Sequence, residues 1–283
     1  MENQITIKKD VTIKGIRHSD GLPTYIKFSP TTNGRYIKYK EHIVPVSLEI
    51  INFKETRHTN SIIINNNVIS TVEHVFSAVN GLGIDNLIIE FGSDEPPFFA
   101  NSKDITKKLS KHLSKIKNKF KKYIEIDKEI IIRGDEGSYC KMIPDTNLVV
   151  DCVIDFPHII GRQQYVYIDS PGTYQERVSF SRSFFINEVK DLSDPFADNK
   201  KHLETFPGVI NKKIHKGPFI SFTKDKYITK LKDPLEPAKH KVLDFIGDIF
   251  FLEHKPKIKF EIYKPGHAFT RQIVKCLDKI TKE

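Results

Sequence analysis

Cysteine is scarce in this sequence of 283 residues, which contains Cys140, Cys152 and Cys276 and no others. Their number is odd, and no two of them have the Cys-x-x-Cys spacing. The sequence therefore indicates neither a disulfide framework nor a zinc site made of thiolates. Any metal that the protein binds must be held by histidine and carboxylate side chains.

Long apolar runs are absent as well. No stretch of about 18 apolar residues occurs, which is the length that a membrane-spanning helix requires. The first five residues are polar and then alternating, unlike the charged cap and apolar segment of a secretion signal. We therefore expect a soluble cytoplasmic protein with no integral membrane segment.

The composition is that of a globular protein with a basic surface. Hydrophobic residues make up 39% of the chain and charged residues 29%, which excludes a wholly disordered chain. Lysine and arginine outnumber aspartate and glutamate, so the formal net charge is +9. Because domains of roughly 100 to 150 residues are the common size, the length predicts two domains.

The pattern of the first half predicts short strands, a helix, a strand and a second helix. Ser70 and Glu73 have the spacing of a helix N-terminal cap, and Gly81 ends the apolar repeat that follows. A buried strand is predicted at 87–91. The next helix is predicted to run from residue 103 to residue 122, because apolar residues recur there at helical spacing: Ile105, Leu109, Leu113, Ile116 and Phe120.

Nine lysines fill most of the remaining positions of that second predicted helix. Lysines can neutralise phosphates, so a nucleic-acid interface is one interpretation. The aromatic residue among these lysines, Phe120, belongs to the apolar repeat, however, and no known binding motif is present. We interpret them as a solvated helix face and expect no nucleic acid partner.

The second half of the chain repeats the same order of elements. A run of predicted strands and a polar, turn-rich stretch come first, and Pro234 then opens a strongly apolar helix. A strand at 258–263 and a last helix complete the pattern. We therefore expect an α+β fold of two similar layered domains, 1–120 and 121–283, whose helices pack on each other with a site between them.

Several side chains suited to metal or proton chemistry fall on the predicted helices. Glu73 and His74 are adjacent at the start of the first helix. In the helix that Pro234 opens, His240, Asp244 and Asp248 are spaced by four residues and therefore project from one face. Polar groups in a helix otherwise filled with apolar side chains are unfavourable unless they are paired or ligated.

A further histidine, His267, follows Gly266 at the point where a strand leads into a helix. Each of these residues alone is most often a hydrogen-bonded structural residue. Together they suit one mechanism, because two histidines and a carboxylate leave the fourth position of a tetrahedral Zn²⁺ open for water. A glutamate that is not a ligand can then take a proton from that water. The pattern therefore indicates metal-assisted hydrolysis.

Four blocks of the sequence are distinctive, and they span nearly the whole chain. They are Ser70-Thr71-Val72-Glu73-His74 running on through Gly81-Leu82-Gly83-Ile84-Asp85-Asn86, then Ile154-Asp155-Phe156-Pro157-His158, then His240-Lys241-Val242-Leu243-Asp244-Phe245-Ile246-Gly247-Asp248, and finally Lys264-Pro265-Gly266-His267-Ala268. In content and order they resemble the UDP-3-O-acyl-N-acetylglucosamine deacetylase family.

The resemblance implies a zinc-dependent amidase of lipid A biosynthesis in the bacterial cytoplasm. Its substrate would be a UDP-linked, 3-O-acylated glucosamine, from whose 2-amino group acetate is removed. The implied fold consists of two β-α-α-β sandwich domains with their helices face to face and the active site between them. We expect a single chain to act as a monomer.

The resemblance also implies which residues bind the metal. His74, His240 and Asp244 resemble the zinc ligands of the family, and Glu73 resembles the base that activates the metal-bound water. His18 does not resemble a ligand.

The remaining implied roles concern proton delivery and the substrate. His267 resembles the general acid that protonates the leaving amine, and Asp248 would hold it charged and oriented. The family has a threonine before a phenylalanine at the oxyanion position, where this chain has Ser183 before Phe184. Serine keeps the hydroxyl, so we expect the same role. Lys241 and Phe184 are implied to bind substrate.

Two segments depart from the family pattern. Residues 97–102 lack the aspartate and glycine that the family has there, and residues 185–217 lack a recognisable acyl-chain insert. These departures leave two alternatives. One is a zinc deacetylase of the same fold that acts on another N-acyl amino sugar, and the other is a non-catalytic binding module with a basic surface.

Overall fold

The computed structural model describes residues 2–17, 19–54, 59–97, 101–186, 209–210, 213–214 and 219–282. The strands in these ranges are β1 (Asn3–Ile7), β2 (Val11–Ile16), β3 (Pro23–Pro30), β4 (Arg35–Tyr39), β5 (His42–Pro45), β6 (Ser61–Ile64), β7 (Asn67–Ser70), β8 (Leu87–Phe91), β9 (Leu113–Phe120), β10 (Tyr123–Ile124), β11 (Ile130–Arg133), β12 (Tyr139–Pro144), β13 (Val149–Asp155), β14 (Arg162–Ile168), β15 (Ser183–Ile186), β16 (Val209–Ile210), β17 (Lys213–Ile214), β18 (Phe219–Phe222), β19 (Lys255–Pro256) and β20 (Ile258–Tyr263). The helices are α1 (Glu73–Gly81), α2 (Ser102–Leu109), α3 (Thr173–Arg177), α4 (Glu236–Asp248) and α5 (His267–Lys282).

Two five-stranded sheets share one topology. The first has the strand order β2-β3-β8-β4-β5, and the second has the order β11-β12-β20-β13-β14. In each sheet one parallel pair, β4 with β8 or β13 with β20, lies among antiparallel pairs. Burial alternates along β2, where Val11 and Ile13 are buried and Thr12 and Lys14 are exposed, as expected for a sheet with one covered face. The expected α+β repeat is therefore confirmed.

Helices α1 and α4, one from each half, pack directly against each other. Asn80 Nδ2 donates a hydrogen bond across this contact to the Ile246 carbonyl oxygen at 2.8 Å. A Cβ atom on Gly247 would lie 2.3 Å from the Glu73 carbonyl oxygen, so the close approach of the two helices requires glycine. Every residue of α4 except Lys241 is buried. The expected packing of helices from the two halves is confirmed.

The prediction of one helix from residue 103 to residue 122 is wrong over its second half. Helix α2 ends at Leu109, and residues 113–120 form β9, which pairs antiparallel with β1. Ile7 lies opposite Leu113 in this pair. The partner strand comes from the opposite end of this half of the chain, so local periodicity cannot detect it, and tertiary pairing overrides the helical pattern.

The predicted helix cap at Ser70 is also wrong. Ser70 is the last residue of β7, and Val72 precedes α1 without a side-chain cap. Glu73 does not close a capping box, because its carboxylate accepts hydrogen bonds from the Thr59 hydroxyl and the Asn60 backbone N–H instead. The helix still ends at Gly81, as the apolar repeat predicts.

The domain limits 1–120 and 121–283 stay a prediction. Each five-stranded sheet takes its strands from one side of this boundary, within 11–91 or within 130–263. In the part of the chain that the structure describes, no helix combines the length and the apolar character needed to cross a membrane.

Candidate active site

The three side chains expected to hold a metal lie together where α1 meets α4. His74 is the second residue of α1, while His240 and Asp244 lie about one turn apart on one face of α4. Their ligand atoms all lie within 4.8 Å of one another. His74 Nε2 is 3.1 Å from His240 Nε2 and 3.7 Å from Asp244 Oδ1. Both halves of the chain therefore contribute to one candidate metal centre.

Two buried atoms of this cluster have no hydrogen-bond partner among the described residues. They are Nδ1 of His240 and Oδ1 of Asp244. A buried polar atom is normally hydrogen-bonded, so these two atoms call for another ligand. Two imidazoles and one carboxylate are a donor set that zinc hydrolases use, with a coordination position left for water. The unpartnered atoms and the donor set therefore fit a divalent metal ion.

The charge states of these residues also suit a metal. Burial lowers the pKa of His240 to about 3, so at pH 7 its imidazole is neutral, which is the form that binds a metal. Burial disfavours the charge of Asp244, but nearby basic groups outweigh it and hold the pKa of this carboxyl well below its usual range. Lys241 is one of these groups, with its Nζ 3.0 Å from Asp244 Oδ2.

Glu73 lies next to the cluster without belonging to its set of ligand atoms. Its side chain is buried, and its carboxylate accepts hydrogen bonds from Thr59 Oγ1 at 2.9 Å and from the Asn60 backbone N–H at 3.0 Å. These donors fix the carboxylate at the start of α1, beside His74. A carboxylate placed in this way is suited to accept a proton.

His267, the first residue of α5, is paired with Asp248, the last residue of α4. His267 Nδ1 lies 3.0 Å from both carboxylate oxygens of Asp248, and its Nε2 lies 4.0 Å from Asp244 Oδ2. Burial opposes protonation of the imidazole, but the charge and hydrogen bond of Asp248 outweigh it and raise the pKa of His267 to about 9. Because Nδ1 is occupied by Asp248, protonated His267 presents its Nε2–H toward the metal cluster.

Ser183 and Phe184 reach the same cluster from β15, which pairs in parallel with β18. The turn-rich composition of this region did not predict that strand. Ser183 Oγ is 3.1 Å from His240 Nε2. The Phe184 ring meets the His240 ring edge-on, with 5.7 Å between centroids, and Lys241 Nζ also lies 5.7 Å from the Phe184 centroid. The structure thus brings the expected ligand, proton-transfer and substrate residues into one site.

Comparison with known sequences identifies the family. A sequence profile of UDP-3-O-acyl N-acetylglycosamine deacetylase matches residues 4–279. The chain belongs to this deacetylase family. A relative from Wigglesworthia glossinidia brevipalpis, named UDP-3-O-acyl-N-acetylglucosamine deacetylase, is 29% identical over 97% of this chain and 92% of its own length.

Two further relatives of the same name have similar sequence identities to this chain. The protein from Sulfurimonas denitrificans is 28% identical over 99% of this chain and 97% of its own length. The protein from Saccharophagus degradans is 28% identical over 96% of this chain and 89% of its own length. The resemblance carried by the four sequence blocks is confirmed, and these identities mark the chain as a divergent member of the deacetylase family.

A buried ion pair that the sequence did not predict supports the site of this family member. Arg182 Nε and Nη2 donate to Glu236 Oε1 and Oε2 at 2.8 and 3.0 Å. Arg182 precedes Ser183, and Glu236 opens α4, so the paired contact fixes the serine-bearing strand to the helix that carries His240. The partners are 54 residues apart in sequence, and no local pattern connects them.

Some positions of interest lie outside the described residues. His18, which is not expected to bind the metal, is one of them. The divergent segments 97–102 and 185–217 fall partly outside as well, at 98–100, 187–208, 211–212 and 215–217. The predictions for these positions stay predictions.

Proposed function

We propose that the protein is a zinc-dependent hydrolase that removes the N-acetyl group from UDP-3-O-(3-hydroxyacyl)-N-acetylglucosamine in lipid A biosynthesis. The observation that carries this proposal is the cluster of His74, His240 and Asp244 in a chain whose family match spans residues 4–279. Zinc is the proposed metal because two imidazoles and one carboxylate in a buried site suit it.

A bound zinc ion would polarise the amide carbonyl and lower the pKa of a coordinated water. Glu73 accepts a proton from the attacking water, because its carboxylate lies beside His74 and is not one of the ligands. The Thr59 hydroxyl and the Asn60 N–H hold this carboxylate in a fixed orientation. Removing the base should therefore affect turnover more than metal binding.

His267 delivers a proton to the nitrogen of the leaving amine. Water adds to the acetyl carbon, the C–N bond breaks, and the nitrogen leaves as an amine once it takes the proton from His267 Nε2. Asp248 keeps the imidazole protonated and directs Nε2 toward the cluster. The raised pKa of His267, about 9, provides the charged form at neutral pH.

Ser183 donates a hydrogen bond to the oxygen of the acetyl carbonyl as negative charge develops on it. Its hydroxyl lies against the His240 ring and so is within reach of the reacting group. Lys241 and Phe184 bind the substrate. Lys241 is the residue of α4 that is not buried, and its ammonium lies 3.0 Å from Asp244 Oδ2, so it would meet an anionic part of the substrate beside the metal cluster.

The net charge and the origin of the site residues bear on the substrate and on the oligomeric state. A UDP-linked sugar carries a diphosphate, which the net charge of +9 attracts. The groups assigned to metal binding and proton transfer all come from one chain, so a monomer suffices. We place the reaction in the cytoplasm, as the family resemblance implies.

The test is acetate release by the purified, zinc-loaded protein from UDP-3-O-(3-hydroxyacyl)-N-acetylglucosamine. We expect turnover that a chelator abolishes and added zinc restores. If UDP-N-acetylglucosamine, which lacks the acyl chain, is turned over equally well, the result would favour the alternative that the enzyme acts on another N-acyl amino sugar. A zinc content near zero with salt-sensitive binding to nucleic acid or acidic lipid would refute the enzyme and favour the basic binding module.

A further inference from the structure

Asn60 joins the two proton-transfer groups of the proposed enzyme. Its backbone N–H donates to Glu73 Oε2 at 3.0 Å, and its side-chain Nδ2 donates to Asp248 Oδ1. Asp248 in turn holds His267. One residue of the first half therefore contacts both the base and the carboxylate that orients the acid.

The orientation of the Asn60 amide is fixed by its neighbours. Arg271 Nη1 donates to Asn60 Oδ1 at 2.8 Å, and a guanidinium has donors only. The carboxylate of Asp248, when ionised, has acceptors only. The amide oxygen must therefore face Arg271 and the amide nitrogen must face Asp248. Arg271 donates to Asn60, and Asn60 donates to the Asp248 carboxylate, which also accepts from His267 Nδ1.

This chain of hydrogen bonds is buried, with Asn60 and Asp248 each 1% exposed. Among the described residues, Asp248 accepts hydrogen bonds from three side chains, namely His267, Thr270 and Asn60. His267 and Thr270 both lie on α5 and can move with it, whereas Asn60 belongs to the first half. The amide therefore ties the Asp248 carboxylate to the part of the molecule that carries Glu73.

The terminal torsion of an aspartate side chain has broad preferences, so the plane of its carboxylate is set by its hydrogen bonds. Asn60 holds Oδ1 of Asp248, and Thr270 holds Oδ2. With both oxygens held, the carboxylate plane is fixed, and it fixes the direction in which the His267 ring points. Loss of the Asn60 amide leaves Oδ1 in contact only with His267 among the described residues, so the Asp248–His267 pair can rotate together.

We propose that Asn60 is a positioning residue that sets the orientation of the proton donor His267 through Asp248. The proposal rests on the proposed function, because it assumes that His267 protonates the leaving amine. It adds that the half of the protein that supplies the base also controls the acid.

The first test compares Asn60→Ala with Asn80→Ala. The Ala variant keeps the backbone N–H that contacts Glu73 and removes the side-chain amide, which contacts Asp248 and Arg271. Asn80 is a matched control, because it is also buried and its amide also crosses between the two halves, to the Ile246 carbonyl oxygen at 2.8 Å. It lies outside the acid and base machinery.

We expect Asn60→Ala to lower kcat by about 10- to 100-fold, the usual effect of removing a partner that orients an active-site group. KM should stay within about twofold, because the acid acts in the transition state and not in ground-state binding. Bound zinc should be unchanged. Asn80→Ala should keep its kcat within about twofold of the wild type. Equal kcat in the two variants would overturn the proposal.

A double-mutant cycle separates a positioning role from a general loss of structure. If Asn60 acts through Asp248, then adding Asn60→Ala to Asp248→Ala should cause little further loss of kcat. Independent effects that multiply in the double variant would overturn the proposal.

NMR of isotope-labelled histidine provides a test that needs neither substrate nor the Ala variant. Asn60→Ser is a smaller change for use if Asn60→Ala does not fold. The hydrogen-bonded Nδ1–H signal of His267 should be present in the wild type and in Asn80→Ala, and shifted or lost in Asn60→Ser. An unchanged signal in Asn60→Ser would overturn the proposal. Absence of acetate release by the wild type would instead refute the proposed function.

Discussion

Gly247→Ala should push α1 and α4 apart and thereby weaken the metal site. A Cβ atom at this position would lie 2.3 Å from the Glu73 carbonyl oxygen and 3.1 Å from its carbonyl carbon. An ordinary contact begins at about 3.4 Å, so the helices must separate by about 1 Å. Both opposing atoms belong to the backbone of α1 and cannot turn aside.

Gly247→Ala should lower both the free energy of unfolding and the affinity for zinc. Overpacking of this kind lowers the free energy of unfolding by about 1–3 kcal/mol. The same displacement moves His74, which follows Glu73, away from His240 and Asp244 on α4. We therefore expect zinc affinity to fall by roughly 10- to 100-fold, as when support for metal ligands is removed.

Two assays measure these effects: competition with a chromophoric chelator for zinc affinity, and thermal unfolding with and without zinc. Gly137→Ala is the control, because Gly137 has a φ of +78° and nothing within 4 Å of an added Cβ. Alanine there adds backbone strain of about 1 kcal/mol without new contacts. The control should lose stability and keep its zinc affinity. If Gly247→Ala binds zinc as tightly as the control, the argument from helix separation is wrong.

Three further predictions concern single side chains. Glu73→Ala should keep zinc and lose most turnover, whereas His240→Ala should lose zinc as well, and equal zinc loss by elemental analysis would contradict the role of Glu73 as base. Ser183→Ala should lower kcat by roughly 100-fold and Ser183→Thr should keep most activity, so equal kcat in the two variants would refute the hydroxyl as donor. Because the pKa of His267 is raised from 6.5 to about 9 in the folded protein, its contribution to the stability of the metal-free protein is full below pH 6.5 and lost as pH rises through about 9. Urea unfolding should show that the free energy of unfolding falls by roughly 3 kcal/mol over this pH range in the wild type and does not fall in His267→Gln. A fall of equal size in His267→Gln would show that other groups cause it.

Elements with a locally set burial pattern could be predicted from the sequence. The strand at 258–263 is found with the predicted bounds, and α4 begins near the prolines that open it. Strand β9 could not be predicted, because it depends on pairing with β1. Its lysines fit a solvated helix face and a solvated strand edge equally well, so local composition does not decide between the two.

The candidate site also contains some residues that local sequence patterns predict and others that they do not. The spacing of His240 and Asp244 by one helical turn is a local property, and it correctly predicts that they share a face. The contacts of Asn60 with Asp248 and Arg271 join positions 188 and 211 residues apart, so no periodicity points to them. What the sequence misses is the set of residues that orient the reactive groups, since tertiary packing alone brings them together.

Repetition of one topology accounts for the place of the site. Helices α1 and α4 hold equivalent positions, each preceding the central strand of its sheet, β8 or β20. Their packing brings together Glu73 and His74 from one half and His240 and Asp244 from the other. Neither half has the full ligand set, so metal binding must add to the free energy that holds the halves together. The geometry of the reaction therefore depends on the same interface that stabilises the fold.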